Sequence, residues 1–417
     1  MQSPFSRLWI GLLLAGLAAH LILKGVIPAL TAIDSDFAGY FVSAKVVSER
    51  QDVSRLYDDL WFREQVHRYG AESPGNVGKF APFPPPTALL LLPLTGYEPL
   101  TALRVVTVVS VLCLFCSAGL LSAMLGWKPV DAALFVLFAG DGLLSGLRFG
   151  QPYIVISTFC LLGYYLYRRH RPWAAGLCIG VFTPIKYYPV VILAALALHR
   201  QWKVVLGGAV AIAGVALLSV SVLGWQVHQI FLSSVFSKHL MGRLSLRDEA
   251  PPFSAVYQSF DTLFNRLFIL HPVLNPHPLV AAPSVATLAI VVTKTVLVLL
   301  AVMVLVKLLR NPPANAVAPT IGIIGLLVML IAPATATYTC VLLWLPVALL
   351  ADFFVSGGAV ASAYFVLAAY ALMGFLPYGH TYPFEGRGAL TVLAYPRLFL
   401  LLALFLGCVH ALSRRAS

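Results

Sequence analysis

Residues 280–306 read VAAPSVATLAIVVTKTVLVLLAVMVLV, twenty-seven positions whose one charge is Lys294. As a helix this stretch is about 40 Å long, more than the roughly 30 Å of hydrocarbon in a bilayer. No soluble core supplies that much apolar company to one helix, so lipid is its solvent. Apolar runs of spanning character recur in both directions from it: Leu8–Leu30, Leu103–Leu125, Val204–Leu223, Val341–Phe354 with its flanks, and Leu390–Leu412. The pattern predicts an all-α polytopic membrane protein with about ten to twelve transmembrane helices over residues 1–417 as a single domain.

Composition agrees. Sixty per cent of the 417 residues are hydrophobic and 11% charged, with a mean hydropathy of +0.88, whereas soluble domains carry about a quarter charged residues. The net charge of +12 does not point to nucleic acid, because many of the cations sit in short connections between apolar runs. Arg7, the Arg168, Arg169 and Arg171 group, Arg200 with Lys203, Lys307 with Arg310, and Arg414 with Arg415 are placed in the cytoplasm by the positive-inside rule. No small-residue cleavage site follows the first run, so it reads as an uncleaved helix directed outward. The six cysteines all fall within apolar stretches, so no disulfide framework is read.

This orientation puts two polar segments outside: a first loop over 31–85 and a second over 225–282. Parity requires Arg148 to be external. The short apolar stretch Thr87–Leu94 is then re-entrant rather than a crossing, since it is about 12 Å long as a helix. In the first loop, Phe41–Val47 and Leu56–Val66 carry patterns suited to interfacial helices. Between Trp173 and Leu198, Thr183, Pro184, Lys186 and Pro189 break the helix. A break at membrane depth is tolerated where freed backbone faces protein or a wet cavity, so it points to a site.

Several residues are suited to chemistry. Asp34 and Asp36 stand together at a membrane boundary in a chain with only sixteen acidic residues. One of them can act as a general base on an acceptor hydroxyl; the plain alternative is a helix cap. An Asp-x-Asp pair also suits a divalent cation, a weak signal that is not favoured, so no cofactor and no metal ligand is assigned. Arg148 and Gln151 offer a cation and an amide at the outer end of a span. Lys186 is costly at membrane depth without an anion or water, and lies too far from either basic loop to reach water by snorkelling, so it is read as a phosphate ligand. Lys294 is left without a role. In the second loop His228, Lys238, His239, Arg243, Arg247, Asp248 and Glu249, then Gln258, Ser259, Asp261, Asn265 and Arg266, are polar enough for a sugar or lipid head group, or for anionic phospholipid. His271 to Pro278 reads as a turn-rich connector.

Together these residues resemble glycosyltransferase family 87, integral membrane enzymes of the GT-C fold. The resemblance spans nearly the whole chain. It rests on the DFxxY segment at Asp36–Tyr40 with LeuTyrAsp at 56–58, PheProProPro at 83–86, ArgxGlyGln at 148–151, LysxxPro at Lys186–Pro189, and GlnSer at 258–259 followed by Arg266. It implies a polyprenyl-phosphate sugar donor, typically mannose, a lipid or glycan acceptor, and inversion at the anomeric carbon. The site would face the periplasm or exterior of a bacterial inner (plasma) membrane, among membrane lipids. By the same resemblance Asp36 is the catalytic base, with Asp34 beside it, and Arg148, Gln151, Lys186, Gln258 and Arg266 hold the donor. Where the family often carries a Ser-Pro-x-Ser-Trp-x-His-His-like stretch, this chain has Ala332 to Thr339, and Tyr338 is assigned the missing histidine's hydrogen bond. The rival reading is a transporter or flippase of a lipid-linked sugar, for which Lys186 would be a substrate ligand; a third is an inactive scaffold.

Overall fold

The computed structural model describes residues 4–73, 78–237, 253–376 and 378–415. Every extended element among them is helical and no strand is formed, which is what lipid demands, since a chain without water must satisfy its backbone groups within each segment. The protein is an all-α polytopic membrane protein. Among the described residues six helices are long and apolar enough to cross a membrane, or seven if one bent pair is a single span. The expected ten to twelve is reached only by adding shorter or broken apolar helices, which sequence runs alone do not separate from full spans. The chain divides into two compact units, Met1–Val190 with Lys203–Arg243, and Val191–Trp202 with Leu244–Ser417.

In the first unit, α1 (Pro4–Leu21) passes through a π turn, Ile22–Val26, into α2 (Ile27–Thr31). After a three-residue link comes α3 (Ser35–Ser48), then α4 (Asp59–Arg68). The helix α3 is not the one-sided interfacial helix that its sequence suggests. Phe37, Ala38, Tyr40, Phe41, Val42, Ala44 and Val46 are all buried, covering every face, so α3 is the centre of an aromatic core with Phe62, Phe80 and Phe83. Two 3-10 turns, Pro85–Leu89 and Leu92–Leu94, follow before α5 (Pro99–Leu125). The Arg104 Nε, near the start of α5, donates to the Leu30 carbonyl at the end of α2, at 2.9 Å. The chain between them therefore leaves and returns at one end of the unit, and Thr87–Leu94 does not cross.

The helices α6 (Pro129–Leu137) and α7 (Asp141–Arg148) are bent by 70°, and α8 (Tyr153–Arg168) runs away from them for about 24 Å. Then α9 (Pro172–Gly180) turns back and stops at the expected break. The next helix, α10 (Val190–Leu198), belongs almost wholly to the second unit, and the chain re-enters the first as α11 (Trp202–Leu223) and α12 (Trp225–Ile230). Where α9 meets α11 the backbones touch: a Cβ on Gly176 would lie 2.1 Å from the Val204 carbonyl oxygen, and one on Gly180 would lie 2.4 Å from that of Gly208. Small residues are what allow membrane helices to approach this closely.

The second unit holds α13 (Phe260–Phe268), α14 (Pro283–Arg310), α15 (Val317–Ile331), α16 (Trp344–Ser356), α17 (Val360–Phe375) and α18 (Pro396–Arg415). The last helix begins at Pro396 rather than Leu390, because residues 388–394 form a 3-10 turn and a proline is favoured in a first helical turn. The Val280 and Ala282 N–H groups bond the Leu267 and Phe268 carbonyls, which brings the end of α13 to the start of α14, and with Asp261 beside Lys294 farther along the two helices run antiparallel.

Candidate active site

Asp36 stands in the first turn of α3, where a negative charge is favoured by the helix dipole. Its Oδ2 accepts from the Gln151 Nε2 at 2.6 Å. The same amide's Oε1 accepts from the Tyr40 hydroxyl at 2.6 Å. Tyr40 is one helical turn after Asp36, so both project from one face of α3. Gln151 is 1% exposed, and burying its amide is tolerated because both ends are bonded. Gly150 makes this approach feasible. Its φ is +58°, and a Cβ there would lie 2.6 Å from the Phe37 ring, so only glycine lets the turn after α7 sit on α3.

Lys186, in the break after α9, reaches the same constellation. Its ammonium lies 4.4 Å from the centre of the Phe83 ring, 5.1 Å from Tyr153 and 5.7 Å from Tyr40. Each such contact is worth about 0.5–2 kcal/mol. Three rings stabilise the charge without neutralising it, and they shape the direction from which an anion can approach. The ring of Tyr40 thus stacks on Phe83, centroids 4.5 Å apart, and faces the lysine, while its hydroxyl serves Gln151.

The two acidic residues divide. Asp34, in the link before α3, takes Arg148 at 3.3 Å, with both side chains well exposed, while Asp36 takes Gln151. Asp34 is therefore the partner of a cation rather than a second member of one carboxylate pair. Among the described residues no three His, Cys, Asp or Glu side chains gather in a way that could hold a metal ion.

The residues assigned in the second unit have other employment. Gln258, 1% exposed, donates from Nε2 to the Ala255 and Ala394 carbonyls and accepts the Arg397 N–H. Arg266 pairs with Glu385 at 2.5 Å and also bonds the Leu274 carbonyl and Asn275. Gln258 thus fastens its loop to residues 394–397, and Arg266 fastens α13 to Glu385 and to the turn at 274–275, bonds that the reading of both as donor ligands does not anticipate. Tyr338 is half-buried in the 3-10 turn Thr337–Leu343. Lys238, His239, Arg243, Arg247, Asp248 and Glu249 lie outside the described residues. His228 bonds Ser219 and the Gly224 carbonyl, a local helix fastening.

Lys294 acquires a partner that the sequence reading left unassigned. Its ammonium is 2.6 Å from the Asp261 carboxylate at the start of α13. Lys294 lies about 16 Å along α14 from Pro283, and the side chains are only 24% and 16% exposed, so removing either leaves an uncompensated charge. Lys294→Ala or Asp261→Ala alone is expected to cost about 2–3 kcal/mol of stability. Exchanging the two charges should recover most of that loss, which thermal melts of the three variants in detergent would measure.

Tyr40, Phe83 and Tyr153 join the site only in the folded protein, and of the three only Tyr40, four residues after Asp36, carries a sequence signal. Glu385 offered none, being more than a hundred residues from Arg266. What remains is a polytopic helical membrane protein whose first unit gathers a carboxylate, an amide, a phenol and an aromatic-walled lysine, a set suited to group transfer. The sequence model of glycosyltransferase family 87 matches residues 80–333, and the chain belongs to that family; it is a membrane glycosyltransferase. That range takes in Arg148, Gln151, Lys186, Gln258 and Arg266, and it stops short of Asp34, Asp36 and Tyr338. No curated protein and no solved structure matches the chain.

Proposed function

We propose that the protein moves a sugar, mannose, from a polyprenyl-phosphate donor to a lipid or glycan acceptor at the outer face of a bacterial inner membrane. The reaction is a single displacement with inversion. Asp36 takes the proton of the acceptor hydroxyl as its oxygen bonds the anomeric carbon. The bond from that carbon to the phosphate oxygen breaks, and the polyprenyl phosphate leaves with the electron pair. Lys186, with Arg148 nearby in the chain to Gln151, offsets the charge that develops on the phosphate. No metal or other cofactor enters this scheme.

The observation that carries the reading is the convergence of Asp36 and Lys186, from segments 150 residues apart in the sequence, on the two faces of one short network through Tyr40 and Gln151. One further point supports an outer site. The basic group Arg168–Arg171 lies at the far end of α8 from Tyr153, and basic connections favour the cytoplasm. Membership of a glycosyltransferase family weighs against the flippase alternative, which the broken helix at Lys186 had kept open.

The test is incubation of the purified protein in lipid with labelled polyprenyl-phosphate mannose and a membrane lipid extract. A labelled product with inverted anomeric configuration is expected, and its identity reveals the acceptor. Release of free labelled mannose alone, or label in no product, would remove the transfer reading.

A further inference from the structure

Gln151 was assigned to the donor on sequence grounds, but its amide is engaged at both ends inside the protein. Asp36 as an ionised base accepts hydrogen bonds and cannot donate them. The end of Gln151 that meets it must then be the NH2 group, which leaves the carbonyl oxygen pointing at Tyr40. The Tyr40 hydroxyl donates to it. The direction of the whole chain, phenol to amide to carboxylate, is thus the one that a charged Asp36 requires.

We propose that Tyr40 and Gln151 are positioning residues for the base, the Tyr40 hydroxyl fixing which end of the Gln151 amide faces Asp36 and so holding an N–H donor against the carboxylate. The inference rests on the reading of Asp36 as the base. It concerns a different part of the site from the donor contacts, which fall to Lys186 and Arg148. Hydrogen-bond chains of this kind polarise along their length, so the phenol strengthens the contact that it does not itself make. The other charged or titratable groups around Asp36 are Asp34 on the preceding link, Arg148 at the end of α7, Tyr153 at the start of α8, and Lys186 beside Tyr40. All of them are retained in the variants below.

The experiment reads Asp36 without any substrate. Infrared difference spectra, wild type minus Asp36→Asn, isolate its carboxylate band, which is followed through the acidic to neutral range. The same subtraction is repeated in the Tyr40→Phe and Gln151→Leu backgrounds. Gln151→Leu removes the donor and is expected to raise the proton affinity of Asp36 roughly tenfold. Tyr40→Phe keeps the ring against Lys186 and Phe83 and is expected to give a smaller rise of a few-fold. A rise in that order, with labelled polyprenyl-phosphate mannose still bound by both variants, supports the chain. Equal protonation midpoints in all three backgrounds overturn it, as does loss of donor binding in Gln151→Leu with an unmoved Asp36 band, which would return Gln151 to the donor. A wild-type protein that transfers no sugar would overturn the proposed reaction, yet ordered midpoints in that protein would still support the positioning chain.

Discussion

Asp36→Asn is expected to lower sugar transfer by about three orders of magnitude, the scale of a positioned general base, while donor binding stays within about twofold of wild type. Asparagine has the shape of aspartate, and its carbonyl can still accept from the Gln151 Nε2, so the packing of α3 is kept. What it lacks is a basic oxygen for the acceptor proton at neutral pH. The aromatic-walled Lys186 and the Arg148–Asp34 pair are untouched, so the proposed donor would be held as before. Turnover and equilibrium binding, measured on the same preparation in lipid, separate the two effects. Unchanged turnover would take the base assignment away from Asp36, and a parallel loss of binding would make it a donor ligand instead.

The second large effect is structural and falls far from the chemistry. Gly176→Ala is expected to destabilise the protein by about 3 kcal/mol or more, the upper end of overpacking costs, and Gly176→Leu to prevent its accumulation. The added Cβ would meet the Val204 carbonyl oxygen at 2.1 Å and the Gly208 nitrogen at 2.6 Å. Those are backbone atoms of α11, and no rotamer change relieves the clash. The helices must separate, and the break carrying Lys186 follows directly after α9. Lost activity should therefore accompany lost stability. Thermal melting and yield from membranes check the first effect, and transfer by any surviving protein checks the second. A Gly176→Ala protein as stable as wild type would mean that α9 and α11 do not cross as described.

Much of this was readable from residue order alone, for physical reasons. Lipid imposes long uninterrupted apolar stretches, so the spans around 99–125, 202–223 and 283–310 announce themselves. The interruption near Lys186 was legible because proline and a stranded cation are both anomalous within such a stretch. The same scarcity of charge singled out Asp36. Pairings were another matter. Arg266 looked like a ligand because a cation in a polar loop has no visible commitment, whereas the fold hands it to Glu385 more than a hundred residues later. Gln258 looked similar and proves to be a buried fastener. The Phe41–Val47 pattern suggests a surface helix, since periodicity records where apolar residues recur but not how many neighbours surround the helix, and α3 is buried over most of its length. Asp34 and Asp36, adjacent in the chain, were read as one unit although the link and the helix start aim them at different partners.

The Lys294–Asp261 contact also bears on how α14 tolerates a charge in its apolar stretch. Asp261 reaches Lys294 from the adjacent helix α13 at 2.6 Å, so the ammonium is offset by a carboxylate of the same hairpin and need not be stripped bare among apolar neighbours.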